Sequence, residues 1–175
     1  QIARSDTGVV DVLFSASSTA PTMPANYDYK RLIGWFKRVS AAIVAFKTWQ
    51  TAGGGLAFRW STVTLDVNQA NQPTITERLD AVKVPLNFET DALVRVSMVD
   101  SASTFLAAVY SPDENISAMS TTAAPLVNIL RDSGGTTAVA ELVVRTDSNG
   151  QIAAQANSTL DNYYVVTIGF DWERR

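Results

Sequence analysis

Carboxylates, tryptophans and one short basic run are the side chains in this sequence with the most chemistry to offer. Glycoside hydrolysis needs two carboxylates about 5 to 10 Å apart, and three local clusters supply candidates: Asp113 with Glu114, Glu89 with Asp91, and Asp171 with Glu173. Neighbours on an extended strand point to opposite faces, so Asp113 and Glu114 converge only if a turn folds them together. Asp171 and Glu173 can share a face, at the end of the chain. Oxygen ligands at Asp113, Glu114 and Asn115 suit calcium in kind, but the run lacks the spacing of a calcium loop. A Pro-Asp turn accounts for it, and no metal is expected. Trp35, Trp49, Trp60 and Trp172 offer flat indole faces that suit the apolar face of a pyranose ring, although aromatic side chains also dominate cores and interfaces. Trp49, next to Gly53-Gly54-Gly55, is expected to be the most exposed of the four.

Two absences narrow the chemistry further. The 175 residues include no Cys and no His, which removes disulfides, the usual Cys/His zinc sites and every Ser-His-Asp or Cys-His nucleophile. The expectation is a protein without a catalytic role and without a cofactor. With 14 Lys plus Arg against 17 Asp plus Glu, the net charge is −3, and the cations form no stripe of the kind that neutralises phosphates, so no nucleic-acid partner is expected. No apolar run approaches the roughly 20 residues that span a bilayer, so no membrane insertion is expected. The sequence opens on Gln1 and enters Ile2-Ala3-Arg4 as if a strand were already under way, which suggests the C-terminal part of a longer chain.

The elements that must position these residues read as strands throughout. Residues 9–15 (VVDVLFS) are β-branched and aromatic, followed by a loop in which Pro21 and Pro24 forbid regular structure. Residues 27–39 read as one long strand, bent or bulged at Gly34. Strands at 43–49 and 56–65 flank the glycine run. In the second of these, Leu56, Phe58, Trp60 and Thr62 share one face and Ala57, Arg59, Ser61 and Val63 the other. Residues 68–73 read as a polar surface loop, with a strand following at 81–86. Residues 92–99 and 104–110 are expected to form a hairpin around residues 100–103, and 126–131 with 138–145 another around 132–135. Asp147-Ser148-Asn149-Gly150 is the clearest turn, its second arm at 151–156. Residues 163–172 form the last strand. Around ten strands and no persuasive helix indicate an all-β fold, a single-domain antiparallel β-sandwich of the jelly-roll type over 1–175.

One stretch carries more than architecture. Thr7-Gly8-Val9-Val10-Asp11, then Ala20-Pro21-Thr22-Met23-Pro24, then Tyr27, Tyr29, Lys30, Arg31, Ile33 and Gly34 resemble a segment of bacteriophage tail-fibre and related virion proteins. The likeness covers about 40 residues and fades afterwards, although the terminal Gly169-Phe170-Asp171-Trp172-Glu173-Arg174-Arg175 also looks like the last strand of such domains. In that family an aromatic-rich strand precedes the first motif, and its absence here is in keeping with a truncated N-terminus. The loop after Gly34 departs from the pattern, with Arg38-Val39-Ser40-Ala41-Ala42 in place of a short Gly/Asn turn. The resemblance implies a β-sandwich head of a fibre or spike on a phage or phage-like gene-transfer particle, usually homotrimeric, contacting a host-surface glycan or protein and other particle proteins. In a protein made in bacteria the glycosylation patterns at Asn115 and Asn157 carry no meaning.

Within that frame Tyr29, Lys30, Arg31 and Gly34 form a structural motif, in which the two cations either pair with carboxylates at a protomer edge or contact an anionic sugar. Trp49, Trp60, Tyr110, Asp113 and Asn115 are the expected receptor-binding residues. They are carried on or beside loops at 48–56, 68–73 and 111–119, since binding residues concentrate on loops held by a rigid scaffold. Two alternatives stand beside receptor binding. One is a purely structural virion module; the other is a polysaccharide depolymerase with two convergent carboxylates.

Overall fold

A computed structural model describes residues 1–71, 73, 75–101, 105–114, 116 and 137–173, together with the backbone of Asn128–Asp132. Every regular element among them is a strand, and no helix among the described residues is long and apolar enough to cross a membrane. The chain divides into two compact units, Gln1–Arg38 and Val39–Arg175.

In the first unit β1 (Ile2–Ala3) lies between β2 (Val10–Asp11) and β3 (Tyr29–Lys30), with Ile2 opposite both Asp11 and Lys30. The turn from β1 to β2 is closed by Gly8, whose φ of 71° is open to glycine at no steric cost; its N–H donates to the Arg4 carbonyl at 3.1 Å. The Ser5 hydroxyl donates to Asp28 at 2.5 Å, and Phe14 meets Phe36 edge to face at 5.3 Å. The long strands expected at 9–15 and 27–39 shrink to these two-residue pieces. A strand persists only where a neighbour pairs with it, and this three-stranded ribbon offers two residues of register. Gly34 lies outside any strand, and a Cβ there would meet nothing within 4 Å, so neither a bulge nor a close approach requires glycine. Ile2 is the one buried residue of this unit.

A short hairpin, β4 (Arg38–Val39) with β5 (Ala42–Ile43), turns at Ser40, which takes a positive φ of 54°. The second unit follows in chain order with β6 (Phe46–Gln50), β7 (Leu56–Trp60), β8 (Leu65–Ala70), β9 (Arg78–Ala81), β10 (Asp91–Val99), β11 (Phe105–Tyr110), β12 (Asn128–Asp132), β13 (Thr137–Arg145), β14 (Gln151–Ala156) and β15 (Asn162–Trp172). They form two antiparallel sheets. One has the order β13-β10-β15-β7-β6, with β8 also paired to β15; the other has the order β12-β11-β14-β9. Neither closes into a barrel.

Several expected boundaries shift. The strand at 56–65 ends at Trp60, and the polar segment read as a loop at 68–73 begins inside β8, which pairs with the first half of β15. Ladder bonds and the burial of Val67 outweigh the poor strand propensity of Asn68 and Gln69. The strand expected at 81–86 lies earlier, in β9. The expected hairpins also give way: β10 pairs with β13 and β15, whereas β11 pairs with β12 and β14. The turn at Asp147–Gly150 forms as its sequence dictates, with Gly150 at φ 71° and the Asp147 carboxylate accepting from the N–H groups of Asn149 and Gln151, yet its arms enter different sheets. Turn chemistry is local; strand pairing is decided by which apolar faces are buried together.

Those faces are plain in the packing. Val94, Val96 and Met98 of β10, Tyr163 and Val165 of β15, Phe105, Ala107 and Val109 of β11, and Ile152, Ala154 and Ala156 of β14 belong to one buried cluster drawn from both sheets. Each large side chain fully buried there contributes about 1.5–3 kcal/mol. The cluster is prolonged by aromatic rings, with Phe58 stacked on Phe170 at 4.7 Å and Phe46 and Trp60 beside them.

Candidate functional site

Strand alternation gives the β6–β7–β15 corner two faces of different character. Phe46, Phe58, Trp60 and Phe170 turn to the aromatic side. Lys47 and Trp49 of β6, Arg59 of β7 and Asp171 of β15 share the opposite face, as their contacts show. The Arg59 guanidinium carbon lies 5.4 Å from the centre of the Trp49 ring, a cation–π distance, and Arg59 Nη1 donates to Asp171 Oδ1 at 2.7 Å. The same nitrogen donates to the carbonyls of Phe58 and Phe170. Arg59 is thus fastened to the backbone of two strands beneath the indole.

The register extends this face into a row. Arg145 stands opposite Asp91, Asp91 opposite Asp171, Asp171 opposite Ala57, and Ala57 opposite Trp49. A second row runs beside it through Val143, Leu93, Gly169, Arg59 and Lys47. Arg145 donates from Nη1 to Asp91 at 3.2 Å and from Nε and Nη2 to Glu89, each at 3.1 Å. Burial opposes the charge of this guanidinium, but the bonds to Glu89 and Asp91 outweigh it and raise its pKa. Gly169 makes the Arg59 position possible: a Cβ there would stand 1.9 Å from the Phe58 carbonyl oxygen and 2.7 Å from Arg59 Cδ.

The expected site residues fall in separate places. Trp49 is 49% exposed, whereas Trp35, Trp60 and Trp172 are half-buried. Trp60 is on the opposite face, its Nε1 donating to the Lys83 carbonyl at 3.2 Å. Tyr110, in the other sheet, is 2% exposed and its hydroxyl donates to Glu77 at 2.7 Å; burial first and this bond second raise its pKa. Its ring has no free face for a ligand, because β11 is buried along its whole length. Asp113 is exposed in a turn where the Glu114 N–H donates to the Ser111 carbonyl, and Asn115 lies outside the described residues. Asn157 accepts from the Leu106 N–H at 2.7 Å. In the first unit Tyr29 is exposed, the Lys30 ammonium donates to the Thr19 carbonyl at 2.6 Å, and the Arg31 carbonyl receives the N-terminal amine.

Other polar clusters serve the fold. Asp66, whose side chain is 3% exposed, is paired with Lys83 and accepts from the N–H and hydroxyl of Thr167 at 2.6 and 2.5 Å. Buried Asp80 is gripped by Arg78, which lies over the ring of Tyr163; burial and the nearby Asp80 charge push the Tyr163 hydroxyl well above its ordinary pKa. Among the described residues no three acidic side chains gather as a metal site. Arg59 and Lys47 are the members of the exposed face that sequence reasoning missed. The signal was present, since a hairpin turning at the glycine run sets Trp49 against residue 57 and brings Lys47 and Arg59 to the same side. No protein-family model, no curated protein and no solved structure matches the chain.

Proposed function

We propose that this chain is the jelly-roll β-sandwich head of a virion fibre or spike, on a phage or phage-like particle, that adsorbs to a host-surface glycan as a homotrimer. The jelly roll is supported by the strand orders β8-β15-β10-β13 and β9-β14-β11-β12, between which the chain passes at every connection from β8 to β15 except β11 to β12. The shared buried cluster supports two sheets packed face to face. The virion assignment draws on the likeness of residues 6–46 to fibre proteins. Receptor binding is carried by one observation: Trp49 is exposed on a sheet face, with a fixed guanidinium against its ring and polar groups in register beside it. Trp and Arg are enriched among the side chains that anchor interaction surfaces.

Glycan-array and whole-cell binding by the purified, size-characterised protein tests this. Wild type binds, and Trp49→Ala abolishes binding while keeping the same mass and melting temperature. Absence of binding to any candidate host envelope favours the second reading, a structural module that contacts its own copies or the particle. That reading has its own support. The first unit leaves Val10, Val12, Phe14, Tyr29 and Phe36 exposed, Phe14 by 74% and against Phe36, and exposed apolar surface of this kind marks an interaction site where it is contiguous. Phe14→Ser with Tyr29→Ser then lowers the oligomer number in sedimentation and leaves any glycan binding unchanged.

A further inference from the structure

We infer that Lys47, Trp49 and Arg59 form a subsite for a carboxylate-bearing sugar, so that the receptor is an acidic polysaccharide. The inference rests on the receptor-binding reading above and specifies its ligand. Lys47 stands directly opposite Arg59, where facing side chains have Cβ atoms about 4.5–5.5 Å apart, and it lies two residues from Trp49 on the same face. Among the described residues its ammonium has no carboxylate within 4.0 Å. Among the described residues the hydrogen bonds of Arg59 leave from Nη1, so Nε and Nη2 keep their donors.

Pairing, more than net charge, sets this edge apart. Lys47 and Arg59 share it with Asp171, which is bonded to Arg59, and with Glu173, whose Cα lies beside Gly55, so Lys47 is the cation left without a carboxylate partner. At the far end Arg145 is engaged by two carboxylates, Glu89 and Asp91. An acidic sugar packed on the indole therefore meets an unpaired ammonium at the β6 edge and a filled ion-pair cluster at the β13 edge. Its carboxylate is taken by the Lys47 ammonium. Arg59 acts as a positioning residue, since it props the indole and adds positive potential while Asp171 and two carbonyls hold it. A neutral sugar would gain the stacking alone.

The test uses the intact protein on an array of glucuronate, galacturonate and mannuronate oligosaccharides, each beside its counterpart with the carboxylates reduced to primary alcohols. Wild type is expected to bind at least one acidic member about tenfold more tightly than its reduced counterpart, the scale of one charge-assisted bond, and to lose that margin as salt is raised. Lys47→Gln should bring the two affinities together without changing the melting temperature; Trp49→Ala should remove both. Equal binding of acidic and reduced sugars by wild type overturns the inference and leaves receptor binding standing. Binding to host cells but to no acidic sugar does the same. Binding to neither sugars nor cells overturns the inference and the receptor reading together.

Discussion

Arg59 Nη1 lies 2.7 Å from Asp171 Oδ1 across 112 residues of sequence, and this contact couples the last strand to the hairpin that presents Trp49. Both side chains are partly exposed, 22% and 38%, so solvent screens the pair and its contribution to stability is below about 1 kcal/mol. Its larger effect is to fix the guanidinium under the indole. Asp171→Ala should therefore leave the denaturation midpoint nearly unchanged and weaken binding of carboxylate-reduced sugars several-fold, since these feel the loss of the propped indole but not the removal of a negative charge. An unchanged affinity, measured beside Trp49→Ala, would remove Asp171 from the site.

Two glycines separate backbone necessity from tolerance. Gly169 sits where a Cβ would be 1.9 Å from the Phe58 carbonyl, and backbone on one side and Arg59 on the other leave nothing that yields cheaply. Gly169→Ala should cost about 3 kcal/mol or more, through parting of β7 from β15. At Gly34 a Cβ meets nothing within 4 Å, and Gly34→Ala should be neutral or stabilise by about 0.4–1 kcal/mol through the unfolded chain. Urea denaturation of the two variants checks the contrast. Equal losses would show that Gly34, part of the fibre-like motif, has a role that its surroundings do not reveal.

Asp66 shows the opposite balance from Asp171. It is buried, paired to Lys83 and bonded twice by Thr167, and the Lys83 N–H in turn donates to the Thr167 hydroxyl at 3.0 Å. The group ties β8 and the segment after β9 to β15. Removing the carboxylate leaves the Thr167 N–H and hydroxyl without their acceptor, a loss of about 1–3 kcal/mol, while Lys83, its side chain 26% exposed, keeps its bond to Thr64. Asp66→Ala should lower the urea midpoint accordingly with an unchanged m-value, whereas a loss within 1 kcal/mol would mean that water replaces the carboxylate.

Which of these features was legible in the sequence follows from how far each depends on distant partners. Alternation along β10 and β15 and the Asp147–Gly150 turn are local and were readable. The hairpin partners were not, because Asn149-Gly150 sets a chain reversal without saying which sheet receives each arm. β8 was misread for the same reason: Asp66 and Asn68 look like loop residues until Thr167 and Lys83 are brought to the aspartate. In the first unit the β-branched run at 9–15 promised a long strand, but intrinsic preference without a partner yields two residues of pairing. Trp49 was legible because glycines beside it announce an exposed turn. The Asp91–Asp171 juxtaposition was not, since it depends on the register of strands far apart in the chain.

Acid should weaken turns that are held by carboxylates of depressed pKa. Asp161 accepts from the Ser101 hydroxyl at 2.5 Å and from the Ser101 N–H at 2.8 Å, and these bonds, the hydroxyl first, hold its pKa below the usual aspartate range. Asp28 is lowered in the same way by the Ser5 hydroxyl and N–H. A carboxylate with a depressed folded pKa contributes stability that is fully present above its unfolded value, about 3.9, and is lost as pH falls through the folded value. Ser101→Ala should raise the Asp161 pKa in an NMR titration while leaving that of Asp28 where it is, and the wild-type advantage over the variant should shrink as pH falls below about 4. A variant whose Asp161 titrates with the wild-type curve would show that the hydroxyl bond does not hold the carboxylate in solution.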